Sequence, residues 1–422
     1  MSLTADAPRD PRDLSFSIAG LRFAVFTTRN MVYLMAVLAM NYTIMRPSPV
    51  DLLFITSFLM TLAHIALSER REVTRRAVFL MLIIGAWAVS YLLASLPHIR
   101  EPKVPFELLA KTFAISIGII AAFVSMSWTQ RHFETFMKVY IVSCVIGATL
   151  GTIGFALQLD ALTWDGRARG LIDDPNMYGA FLFPGVLFSA YFLFRPRSSK
   201  IVLLGVLMLL LLGIFLSFSR VAVVAIIGCL LAYVVFHNWR HPKRLLVGAA
   251  GLVGIAGLLL ALASVASPEF TEKLLDRMTF AKSYDLGEDG RYARYFLVLP
   301  MILQNPIGMG VLQLEKIFPE PIHNIWLSSF VNYGWLGGFS WIVLVVSSVV
   351  VSILNYRRTG SHIPVVLMIS LIGIILCATL HEGEHWRHMW LTFGLIWGLC
   401  TLKFDAPTKV AGGRQAAAPV KS

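Results

Sequence analysis

The chain is one apolar window after another. A hydrocarbon core of roughly 30 Å asks for about 17–25 apolar residues per spanning helix. Windows of that length recur at approximately 24–45, 50–67, 77–96, 108–127, 135–157, 177–194, 200–217, 220–237, 245–266, 324–354, 362–380 and 386–402. About twelve transmembrane helices follow, and the chain reads as a polytopic membrane protein. The window at 324–354 is long enough for a tilted helix that extends beyond the bilayer. Composition agrees: charged residues make up 14% and the mean hydropathy is +0.72. A soluble domain carries about 25% charged residues.

Residues 1–29 hold Arg9, Arg12, Arg22 and Arg29 and no apolar core, which reads as a cytosolic arm and not a secretory signal. Cys144, Cys229, Cys377 and Cys400 all fall inside apolar runs, with no close pair and no histidine at ligand spacing. Neither a disulfide framework nor a metal site is implied. The net charge of +12 is accounted for by the Lys and Arg that membrane proteins collect in cytoplasmic loops, so no nucleic-acid partner is expected.

Placing the N-terminus inside puts Arg70, Arg71, Arg75 and Arg76 in a cytoplasmic loop. Arg195, Arg197 and Lys200, then Arg240, Lys243 and Arg244, and then Arg357 and Arg358 join them there. Both termini are then cytoplasmic. Segments 158–176, 217–220, 267–323 and 381–388 fall together on the outer face. The chain divides into an arm at 1–23, helices over 24–266, one large loop at 267–323, helices over 324–403 and a disordered tail at 404–422.

These outer segments hold the candidate chemistry. Arg167 and Arg169 are bracketed by glycines, a pattern suited to a phosphate, while Asp174 or Asn176 with Pro175 can cap the helix that follows. Ser219-Arg220 lies between two apolar runs with almost no loop. Its arginine either snorkels to the interface or holds a phosphate. In the large loop, Arg291 and Arg294 share a face if the segment is helical, alternatively as part of a surface helix paired with Glu288 and Asp289. His323-Asn324 stands where that loop meets a rigid helix, which suits a positioned general base. The run His381-Glu382-Gly383-Glu384-His385 lacks the His-Glu-two residues-His spacing of a zinc protease. His381 and Glu384 are candidates for contacts to an acceptor sugar, with an interfacial polar turn as the other reading.

Taken in order, the motifs resemble the O-antigen ligase and O-antigen/exopolysaccharide polymerase superfamily. They are Arg169-Gly170 with Asp174-Pro175-Asn176, Ser219-Arg220, Arg291 before Pro306-Ile307-Gly308-Met309-Gly310, and His323-Asn324 before Tyr333-Gly334-Trp335-Leu336-Gly337. The resemblance covers about residues 160–340. It implies an all-α, GT-C-like fold in a bacterial inner membrane, with the large loop and the active site in the periplasm. It implies a donor glycan on undecaprenyl diphosphate and an acceptor that is either another glycan or lipid A core. Membrane lipids and a chain-length regulator are the other implied partners, and no cofactor or metal is expected. Carried over, Arg220 and Arg291 hold the diphosphate, Arg169 and Arg167 are further anion ligands, and His323 deprotonates the attacking hydroxyl. Asn324, Arg294, Ser219, His381 and Glu384 are supporting contacts. Asn332 departs from the acidic residue that many relatives carry there, and Asn332-Tyr333-Gly334 leans towards a polymerase over a ligase. A transporter or lipid-linked-sugar flippase is the competing class, since about twelve spans suit one, although transporters place polar sites near the midplane.

Overall fold

The computed structural model describes residues 15–18, 21–24, 27–45, 48–67, 74–196, 198–248, 250–251, 290–318 and 321–401, with 254, 257, 261 and 404 singly. Its helices are α1 (Thr28–Leu38), α2 (Pro49–Leu67), α3 (Arg75–Ser95), α4 (Val104–Ser125), α5 (Gln130–Ala156) and α6 (Pro175–Leu193). They continue as α7 (Lys200–Leu216), α8 (Arg220–Asn238), α9 (Arg291–Gln304), α10 (Ile325–Thr359), α11 (Ile363–Ala378) and α12 (Arg387–Gly398). Two antiparallel pairs are the sheet content described: β1 (Ser15–Ile18) with β2 (Leu21–Ala24), and β3 (Thr163–Trp164) with β4 (Arg167–Ala168). The protein is a helical, polytopic membrane protein.

By length and apolarity, seven of the described helices can cross a membrane: α2, α3, α4, α5, α6, α8 and α10. The shorter apolar helices α7 and α11 add to these. The expected spans near 24–45 and 386–402 are shorter helices than their windows, 11 residues for α1 and 12 for α12. The window at 245–266 and loop residues 262–289, with Glu288 and Asp289, fall largely outside the described residues, as does the tail after 404.

Helix α6 is the axis of the bundle. It is apolar on all sides and 89% of its spanning window is buried, as expected of a helix surrounded by other helices. Helices α5, α7, α8 and α11 pack around it, while α4 lies against α12 and α3 against α10.

Helix α10 is broken at Gly334, whose backbone takes φ +71° and ψ −170°. A break frees backbone groups that lipid cannot satisfy, so such a feature survives only where other protein groups bond to it. The segment 306–310 does this. The N–H groups of Met309 and Gly310 donate to the carbonyls of Val331 and Asn332 at 2.9 Å, and the Trp335 N–H donates to the Pro306 carbonyl at 2.9 Å. The approach is close enough that a Cβ on Gly334 would sit 2.3 Å from the Pro306 oxygen. Two motifs that are about two dozen residues apart in the chain are therefore one structural unit. The same segment is held to α3 by the Val311 N–H on the Ser95 hydroxyl at 3.1 Å, and to Glu101 by Lys316 at 2.7 Å.

Replacing Gly334 by alanine adds both a steric clash and a positive-φ penalty. We expect Gly334→Ala to destabilise the protein by on the order of 3 kcal/mol. A lowered melting temperature and faster proteolysis within 306–318 in lipid nanodiscs would register it, whereas unchanged values would show that the contact is dispensable.

Candidate active site

One end of the bundle gathers the polar loops. Arg167 donates through Nε to the Ser217 carbonyl at 2.8 Å and through Nη2 to the Asn176 side chain at 2.7 Å, tying segment 160–176 to the α7–α8 turn. The N–H groups of Thr43 and Ile44 share the Leu171 carbonyl at 2.9 and 3.0 Å. Asp51, at the start of α2, pairs with Arg387 at the start of α12 at 2.5 Å. The His323 and His381 rings lie 6.2 Å apart. By way of residues 43–51, these contacts link the described parts of all four polar segments at one end of the bundle.

The first segment is organised by Asp174. Its carboxylate accepts from the N–H groups of Asn176 and Met177 at 2.7 and 3.0 Å and so caps α6, with Pro175 at the first helical position. Arg169 donates to the carbonyls of Asp173 and Asp160, each at 3.3 Å. Both expected anion ligands here also hold the loop in shape. Arg220 is the first residue of α8, with buried Ser219 as its N-cap.

Arg291 occupies the corresponding first position of α9, and its side chain lies outside the described set. Arg294 follows one turn later and is buried, donating to the Pro321 carbonyl at 3.1 Å. Tyr295 donates its hydroxyl to the His323 carbonyl at 3.3 Å. Helix α9 thus grips the strand that carries His323. The His323 backbone is left-handed, with φ +50°. Asn324 caps α10, accepting from the N–H groups of Trp326 and Leu327 at 3.0 and 3.1 Å. The Trp326 indole donates to Thr379 at 2.9 Å, which fixes α10 to the end of α11 beside His381.

Sequence reasoning missed a buried polar network behind these groups. The Glu384 carboxylate accepts from Lys111 Nζ at 2.6 Å, from the Ser328 hydroxyl at 2.6 Å and from the Tyr333 hydroxyl. Lys111 also reaches Glu107 at 3.1 Å. Glu384 is therefore a buried anchor for the turn, with Tyr333 beside the α10 break as one of its donors. Removing Lys111 would leave the Glu384 charge buried without its ion-pair partner, at a cost of about 3–5 kcal/mol. The available signal was Lys111 itself, an ammonium inside an apolar window, where ionisable groups are costly.

A cavity of about 190 Å³ opens against this network, lined by Glu107, Glu315, Glu382, Asn332 and Tyr333 among others. Burial, with Glu384 nearby, pushes the Glu382 carboxyl up from 4.5 to about 8, although Lys111 opposes the shift.

The fold defines a helical membrane protein with arginines, a histidine and carboxylates collected at one end of the helix bundle. Residues 204–342 match the family model described as O-antigen ligase, consistent with the O-antigen ligase/polymerase superfamily. The matched stretch contains Arg220, Arg291, Arg294, His323, Asn332 and Gly334. No curated protein matches the chain.

With its folded pKa raised, Glu382 favours folding most at acid pH and loses that contribution as pH rises from its ordinary 4.5 to about 8. The wild-type melting temperature should therefore fall more than that of Glu382→Gln between pH 5 and 9. Parallel curves for the two proteins would show that Glu382 is ionised throughout.

Proposed function

We propose that this protein transfers a glycan from a lipid-diphosphate donor to a sugar hydroxyl at the periplasmic membrane face, with inversion and with His323 as general base. His323 is the observation that carries the reading. It is a non-glycine residue in left-handed backbone, held by Tyr295 through its carbonyl and standing directly before a capped helix. Strain maintained by surrounding contacts is common at functional sites. Among the described non-glycine residues, Gln158, Asp165, Phe218 and Leu312 also have positive φ, and each sits within or beside one of the polar segments.

The chemistry is a displacement. The acceptor oxygen forms a bond to the anomeric carbon while the bond from that carbon to the diphosphate oxygen breaks. The bonding pair stays on the departing lipid diphosphate, and the hydroxyl proton passes to the imidazole. Negative charge grows on the leaving group, where fixed positive groups lower the barrier. Arg220 and Arg291 supply that charge. Each begins a helix, where the dipole already disfavours a cation and favours an anion. Arg387 illustrates the same position with Asp51 as the anion.

Chain extension between two lipid-linked glycans, as in a polymerase, is our reading of the acceptor. It rests on Asn332-Tyr333-Gly334, which lies at the helix break. Transfer to lipid A core is the second reading, favoured by the description of the matching family. Purified protein given only a lipid-diphosphate oligosaccharide should produce a ladder of longer lipid-linked glycans. Product formed only after lipid A core is added would establish the ligase, and inactivity under both conditions would sink the transfer reading.

His323→Ala should reduce transfer by about 100-fold or more, with the protein still inserted and abundant. Near-normal product from that variant would remove His323 from the mechanism. Arg220→Lys should also be severely impaired, because a point charge does not reproduce a planar fork on phosphate. Retained turnover in the lysine variant would instead assign Arg220 to anchoring at the interface.

A further inference from the structure

The cavity beside Glu384 has a chemistry distinct from that of the arginine motifs. Glu107, Glu315 and Glu382 line it, as does Asn332, whose Oδ1 is buried with no hydrogen-bond partner among the described residues. Lys111 on the wall is engaged by Glu384 and Glu107, and the Tyr333 hydroxyl by Glu384, while His385 and the Asn332 amide complete the polar lining. With Lys111 so engaged, the charge left on the wall is that of Glu107 and Glu315, beside the unpartnered Asn332 Oδ1 and the mostly protonated Glu382 carboxyl. At about 190 Å³ the cavity lies below the roughly 300–1,000 Å³ of pockets that enclose drug-sized ligands, the scale of a small ligand.

Position favours the same occupant. Pro321 lines the cavity two residues before His323, and Glu382 follows His381, whose ring is 6.2 Å from that of His323. The cavity thus belongs to the same loop cluster as His323. Among the described residues no set of three His, Cys, Asp or Glu side chains is arranged as metal ligands, so a cation alone does not match the wall. Hydroxyl and ammonium hydrogens match the open acceptors, whereas a carboxylate or phosphate on the ligand would meet like charge.

We propose that this cavity is the subsite for the terminal sugar of the acceptor, and that it selects a neutral or amine-bearing ring over an acidic one. The acceptor role rests on the glycosyl-transfer reading above. The site accepts hydrogen bonds from the ring hydroxyls or amine through Glu382, Glu315 and Asn332, and it turns one hydroxyl towards His323. Arg220 and Arg291 recognise an anion, so the two halves of the reaction are separated by charge: the diphosphate at the arginines, the acceptor at the carboxylates.

The test is binding of free monosaccharides to purified protein in nanodiscs without donor, read by saturation-transfer NMR at neutral pH. Glucosamine and glucose should bind, with glucuronate at least about tenfold weaker. Glu382→Ala and Asn332→Ala should each weaken glucosamine binding by roughly tenfold, as loss of one buried hydrogen bond implies. Melting curves confirm that each variant is folded, and His323→Ala should bind as the wild type does. Glucuronate binding as tight as glucosamine, folded variants with unchanged affinity, or no sugar bound by folded wild type would each overturn the proposal. Donor turnover plays no part in this assay. Sugar binding in a protein that makes no glycan would overturn the transfer reading and leave the sugar site standing.

Discussion

The break in α10 at Gly334 is the constraint on which the polar end of this protein depends. A helix that opens in a membrane exposes carbonyl and N–H groups that lipid cannot satisfy, so another piece of backbone has to meet them. Segment 306–310 meets them through Met309, Gly310 and Pro306. That requirement draws the end of the large loop into the bundle, and the loop then contacts α3 through Ser95 and the α3–α4 turn through Glu101. With both ends of residues 306–325 anchored, His323 is brought to α9 and to the start of α10.

Behind this unit lies Glu384, which joins α4, α10 and the turn before α12 through Lys111, Ser328 and Tyr333. A buried ion pair contributes little net stability compared with an apolar replacement, yet breaking it is expensive. Its consequence here is positional. Tyr333 precedes the glycine at the break, so the same carboxylate that secures the turn at 381–386 also secures the broken helix. The His323 and His381 segments cannot shift independently while this network and the Trp326–Thr379 bond hold.

Much of the plan was legible in the chain. Apolar windows marked most helices because hydrophobic length is a property of consecutive residues. Asp174-Pro175 announced the start of α6, and Arg291 and Arg294 fell on a helix as their spacing allowed. The short first and last helices were not legible, since an apolar window does not reveal where the chain leaves helical geometry. Arg167 read as an anion ligand, and the structure gives it carbonyl and amide partners on neighbouring segments, which no local pattern contains. Lys111 was passed over although a lysine in an apolar window is itself a signal. Its partner Glu384 is far along the chain, so pairing the two required the fold.

By itself the sequence determined the membrane class, the approximate positions of most described helices and the residue types of the candidate site, because hydropathy, capping and glycine placement act over a few residues. Tertiary structure alone decided that Gly308 and Gly334 meet, that Tyr295 holds the His323 carbonyl, and that Glu107, Glu315, Glu382 and Asn332 surround one cavity. Those contacts join distant segments, and they form only because unsatisfied polar groups in a membrane must find partners wherever the packed helices place them.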